Sequence, residues 1–205
     1  MNRLFAGLIL LLLGLAQPAA AITYTFDAVA GGISIVGVPT GTPFTVSFVV
    51  PNGATDAFPA DPHAASYEIQ SVSVAFPTLG LFGSGVPTAG SVDIQEGSLD
   101  RFQPNALVNI SLGAITVRAV NVLLQDSHGT ALLNDALPTF LDASMFDGFV
   151  VAVFTPGDCC NAVIASSYSV SVVLDSVPEP NAFPMLVLGA GLTGLGFIRR
   201  RRTLS

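Results

Sequence analysis

Tryptophan and lysine are both absent, histidine occurs twice, and cysteine occurs only as the adjacent pair Cys159-Cys160. Each shortage removes a class of function. All 14 acidic residues lie between Asp27 and Glu179 with only Arg101 and Arg118 against them, so that stretch carries −12. Such a surface repels phosphate backbones, which excludes nucleic acid as a partner and charge-driven adhesion to anionic lipid. It leaves two readings, plain solubility of an exported body or company with divalent cations. Without tryptophan, and with Tyr24, Tyr67 and Tyr168 all on the apolar parity of strands, an aromatic platform for sugar rings has to come from phenylalanine or from polar loops. His63 and His128 sit in no nucleophile motif, and the chain has no Gly-x-Ser-x-Gly elbow, phosphate loop, dinucleotide fingerprint or His-Glu-x-x-His site. Hydrolase chemistry therefore lacks a starting constellation, and no catalytic residue and no enzyme is predicted.

Helical periodicity is nearly absent too, and the period that is present is two. Tyr24, Phe26 and Ala28 alternate with Thr23, Thr25 and Asp27, and Phe44, Val46, Phe48 and Val50 alternate with Thr45, Ser47 and Val49. Tyr67 and Ile69 point one way while Val72, Val74 and Phe76 carry the opposite parity, which predicts a β-bulge near Gln70-Ser71. Further strands are predicted over 90–95, 107–112, 114–124, 149–154 and 168–175, the last with Tyr168, Val170, Val172 and Leu174 on one face. Pro39-Thr40-Gly41, Pro51-Asn52-Gly53, Gly83-Ser84-Gly85 and Pro156-Gly157-Asp158 read as turns. About eight short strands punctuated by glycine and proline predict an all-β domain over 22–176, a two-sheet antiparallel sandwich of jelly-roll or immunoglobulin-like type, with a closed barrel as the alternative. Leu137-Pro138 opens a covering loop in which Phe140, Leu141 and Phe146 are predicted to plug one end.

The two ends of the chain differ from this body. Arg3, the apolar residues 4–15 and Ala19-Ala20-Ala21, with small residues at the −3 and −1 positions, predict a signal peptide over 1–21 that signal peptidase cuts between Ala21 and Ile22. At the other end Val177-Pro178-Glu179-Pro180 precedes an apolar run over 183–198 and the cluster Arg199-Arg200-Arg201-Arg202. At about 1.5 Å per residue the 16-residue run reaches roughly 24 Å against a hydrocarbon core of about 30 Å. It spans as a short transmembrane helix by thinning the bilayer or by letting the arginines reach outward. The arginines hold their end in the cytoplasm and put the body on the outer side. Pro178 and Pro180 remove backbone donors and keep the residues before them extended, the form a protease can thread.

The Pro-Glu-Pro motif, the apolar stretch with Gly189, Gly191, Gly194 and Gly196, and the terminal arginines together resemble, over 177–205, the PEP-CTERM sorting signal of Gram-negative bacteria. The resemblance implies an exosortase as processing partner, cleavage near the motif, and passage of the body from an inner-membrane-anchored precursor with a periplasmic body to the cell surface or extracellular matrix. It also implies a setting of exopolysaccharide and biofilm. Residues 123–154 resemble a stretch common in the bodies of such proteins. An address follows from this, and the activity of the body stays open.

Two features of the body remain. Asp126, Asn134, Asp135, Asp142 and Asp147, or Asp56 and Asp61, offer oxygen ligands of the kind calcium takes, but none follows the spaced Asp-x-Asp-x-Asp-Gly loop, so no cofactor is predicted, with calcium at these residues as the alternative. Cys159 and Cys160 in an oxidising exported setting favour a disulfide, either between the neighbours themselves or to another chain, with free thiols third. The functional expectation is an exported non-catalytic surface or matrix protein with a structural or adhesive role in exopolysaccharide. Its alternatives are a carbohydrate-binding or calcium-binding module and, remotely, a secreted hydrolase.

Overall fold

A computed structural model describes residues 21–31, 37–156 and 162–175. The signal peptide through Ala20, the Cys159-Cys160 pair and the sorting signal from Val177 to its arginines lie outside the described residues. Among the described residues no helix is long and apolar enough to cross a membrane, and the helical pieces are two 3-10 turns, Pro77–Leu79 and Ala143–Met145.

Ten strands follow in chain order: β1 (Ala21–Ala30), β2 (Pro43–Pro51), β3 (Ala64–Glu68), β4 (Ser71–Phe76), β5 (Leu81–Gly85), β6 (Ala89–Gln95), β7 (Asp100–Leu112), β8 (Ile115–Asp126), β9 (Gly148–Phe154) and β10 (Ala162–Asp175). They form one antiparallel sheet in the order β3-β6-β7-β8-β9-β10-β1-β2-β4-β5, which leaves β3 and β5 as edges rather than closing into a barrel. The period-two pattern explains each strand. Alternate residues of β1 (Ile22, Tyr24, Phe26, Ala28), β2 (Phe44, Val46, Phe48, Val50) and β4 (Val72, Val74, Phe76) are buried while their neighbours face outward. Burying one such large side chain contributes about 1.5–3 kcal/mol, and the β-branched and aromatic residues suit a pleated surface.

The sheet curls so that its inner face meets itself. The rings of Tyr24 on β1 and Phe102 on β7 lie 4.9 Å apart although their strands are four places apart in the sheet. One continuous core includes Phe26, Phe48, Phe76, Phe102, Ile110, Leu124 and Val153, and Ala20–Asp175 make one compact unit. The long strand β10 joins the two halves: residues 162–164 pair with β9, and the rest pairs with β1 out to Ala21 opposite Asp175.

Three local expectations change. The parity shift at Gln70-Ser71 is real, but it is a change of neighbours and not a bulge within one strand. β3 pairs with β6, β4 pairs with β2, and the connection is handed over residue by residue, with the Ile69 N–H donating to the Gly90 carbonyl and the Gln70 N–H to the Val49 carbonyl. Gly83-Ser84-Gly85 belongs to β5 rather than to a turn, because β5 packs tightly on β7: a Cβ on Gly83 would come within 2.5 Å of Ile110 and 2.7 Å of Leu112. Phe140 does not plug the core but is 71% exposed; Ala131, Leu132, Leu141 and Phe146 are the buried residues of that loop. The turns at Gly41 and Gly53 stand as predicted, with φ of +85° and +84° that favour glycine.

Candidate functional site

Short polar side chains in the loops and at the end of β8 have a common local job. In five places a side-chain oxygen accepts the backbone N–H two residues on, at 2.9–3.0 Å: Asp56 from Phe58, Asp61 from His63, Asp126 from His128, Asn134 from Ala136 and Asp142 from Ser144. This is the turn-forming habit of short polar side chains. The pattern accounts for most of the residues read from sequence as calcium ligands.

Of the calcium candidates, the structure brings Asp126 and Asp147 together, adds His128, and leaves Asp135 and Asp142 outside the group. The three contribute ligand atoms within 4.8 Å of one another. Two carboxylates and an imidazole fall short of the six to eight oxygens that calcium takes. Asp126 is also already engaged, accepting from the backbone of His128, Thr130 and Ala131 and from the Thr130 hydroxyl at 2.7–3.0 Å. Those donors hold its carboxyl well below the usual carboxylate range, the Thr130 and His128 backbone bonds first. Asp147 accepts from the backbone N–H and the hydroxyl of Ser127. The group is a clasp for the start of the loop 127–147.

The same loop is pinned from the sheet by every tyrosine of the chain. Tyr24 on β1 donates to the Pro138 carbonyl at 2.9 Å, while Tyr67 on β3 and Tyr168 on β10 donate to the carbonyls of Asp135 and Ala143, each at 3.3 Å. All three phenols are pushed up, mainly by burial, with Tyr67 adding to Tyr24, Asp56 and Asp135 to Tyr67, and Asp142 to Tyr168. A phenol raised in the fold above its ordinary ~10 contributes stability that is whole below that pH and is lost as pH rises through the folded values. Alkaline titration is therefore expected to show phenolate absorbance appearing together with loss of β-sheet circular dichroism. Ionisation of all three near pH ~10 in a protein still folded would contradict the pinning.

The outer face of β3, β6 and β7 has a different character. Outward positions run Ala64, Ser66 and Glu68 on β3, Gln95, Asp93 and Ser91 on β6, and Arg101, Gln103 and Asn105 on β7, paired in that order. Asp93 is fixed at their centre, accepting from the Ser66 hydroxyl at 2.5 Å and the Asn105 amide at 3.1 Å. A groove of about 340 Å³ opens here, lined by Asp93, Gln95, Arg101 and Gln103 and walled by Phe58. Among the described residues no ion pair engages Arg101.

Phe58 is 57% exposed, and its loop is braced. Asp56 also accepts from the Ser66 backbone, Ala57 donates to the Ser66 carbonyl, Asp61 donates to the Phe58 carbonyl, and the Glu96 N–H donates to the His63 carbonyl. His63 Nδ1 lies 3.2 Å from Glu96 Oε1, and Pro59 and Pro62 stiffen the span between. In the sequence Arg101 stands out only as a rare cation and Phe58 as one of 14 phenylalanines; pairing across three strands brings the two to one groove. No family model, no curated protein and no solved structure matches the chain.

Proposed function

We propose that this chain is an exported, non-catalytic surface or matrix protein, processed at both ends and sorted by an exosortase through Val177-Pro178-Glu179-Pro180 and the segment after it. The observation that carries the reading is the placement of the body's two ends. Ala21 and Asp175 are paired on neighbouring strands, and among the described residues the core side chains run from Ile22 to Val163 with Val172 packed against them, inside both cut sites. Signal peptidase can cut after Ala21 and the exosortase near Pro178 while leaving every core side chain of the described residues in the body. The resulting body is self-contained, and we read its curled sheet as a sandwich of the jelly-roll or immunoglobulin-like type. A structural or adhesive role in exopolysaccharide is supported by loops whose acids hold their own backbones, an arrangement that builds a rigid scaffold.

Intact mass of the protein from its native host, with cell surface and medium separated from membranes, tests this. The expected species begins at Ile22 and ends near residues 178–180. A species that still carries 183–205 in the inner membrane would overturn sorting.

A further inference from the structure

We infer that the groove between Phe58 and Arg101 is a binding site for neutral polysaccharide. The inference deepens the matrix reading and rests on it only for the source of the ligand. A sugar ring presents an apolar C–H face and a rim of hydroxyls that both donate and accept. The groove offers a counterpart to each. Phe58 supplies the flat apolar surface, Arg101 supplies donors, Asp93 supplies acceptors, and the amides of Gln95 and Gln103 supply both.

Two further observations favour a ligand here over an incidental hollow. An aromatic ring displayed to solvent on a loop fixed by two prolines and several hydrogen bonds is held where it is, so little ordering is needed when a ring stacks on it. Asp93 is likewise positioned by Ser66 and Asn105 before any ligand arrives. Charge selects the class: the stretch 27–179 carries 14 acids against two arginines, which repels a polyanionic chain, whereas a neutral one meets both Arg101 and Asp93 in the groove. The volume of about 340 Å³ is at the small end for ligand pockets, and because the groove lies along a sheet face a polymer can pass through it.

The test is affinity electrophoresis of the 22–178 body through gels containing dextran, hydroxyethylcellulose or galactomannan, with alginate as the anionic arm. At least one neutral polymer is expected to retard the protein. Phe58→Ala and Arg101→Ala should each weaken retardation about tenfold or more, with circular dichroism and melting unchanged. Arg118→Ala, the same charge change on β8, should leave it intact. Absence of retardation, retardation by alginate alone, retardation that survives both groove substitutions, or an equal loss in Arg118→Ala each overturns the site. Export is tested separately by intact mass, so a sorted body that no polymer retards sinks this inference alone. Retardation of a body that never leaves the inner membrane sinks the sorting reading alone.

Discussion

Phe102→Ala is expected to lower the free energy of unfolding by about 3–5 kcal/mol, while Arg101→Ala, one residue earlier on the same strand, changes it by less than about 0.5 kcal/mol. The contrast follows from the pleat. Along β7 the even-numbered residues from Asp100 to Leu112 are all buried and the odd-numbered ones face outward. The Phe102 ring is fully enclosed, 4.9 Å from Tyr24, where the curled sheet meets its own inner face. Removing it leaves a void that the neighbours close poorly, because the Tyr24 hydroxyl is tied to the Pro138 carbonyl and its ring is not free to move in. A domain of this size is stable by only about 5–15 kcal/mol, so the loss is a large share. Arg101 lies exposed in the groove and makes no ion pair among the described residues. Guanidinium unfolding at matched slopes measures both variants. A Phe102→Ala loss under about 1 kcal/mol would mean the two parts of the sheet do not pack through this ring. The same pair separates folding from binding, since Arg101→Ala should abolish most polysaccharide retardation with the fold intact.

The strands were the legible part of the sequence because burial on one face imposes period two, and that pattern is local. Tyr24, Phe26 and Ala28, or Phe44, Val46, Phe48 and Val50, declare their faces without reference to any partner. Pairing is not local. At Ile69 to Val72 the change of parity shows that the chain turns its other side inward, yet a bulge and a handover from β6 to β2 give the same parity change. Gly83 and Gly85 mark a turn by composition and a strand by packing, and only the approach of Ile110 distinguishes the two. The site was less legible for the same reason. Asp56 and Asp142 show their loop roles through contacts two residues away, which sequence can suggest. Phe58 and Arg101 are 43 residues apart and line one groove only because β3, β6 and β7 lie side by side.

Asp126→Ala is expected to be the most destabilising replacement of any acid that accepts the N–H two residues on, and Asp126→Asn to lose less at neutral pH while flattening the response to acid. Asp126 and Asp100 are cross-strand partners on β8 and β7, both buried, and they serve adjoining stretches of backbone. Asp100 accepts from Gly97 and Leu132, and Asp126 from His128, Thr130 and Ala131. Between those donors sits Gly129, with φ of +66° and no space for a Cβ beside the Gly97 carbonyl, so the turn at this point requires glycine. Losing the carboxylate strands backbone donors, that of Ala131 in the interior. The pH dependence follows from the same bonds. They depress the folded pKa below the ordinary ~3.9, so the contribution is whole above that value and is lost as pH falls through it toward the folded pKa. An amide does not titrate. Asp126→Asn should therefore lose less of its stability than the wild type between pH 7 and about pH 3, with Asp142, also depressed by its Ser144 bonds, keeping part of the acid response in both proteins. Denaturant midpoints at the two pH values decide it. An acid response in Asp126→Asn equal to that of the wild type, or an Asp126→Ala protein no weaker than Asp142→Ala, would remove the clasp from the account. The loop 127–147 would then be held by its three tyrosine hydroxyls and its buried Leu132, Leu141 and Phe146 alone.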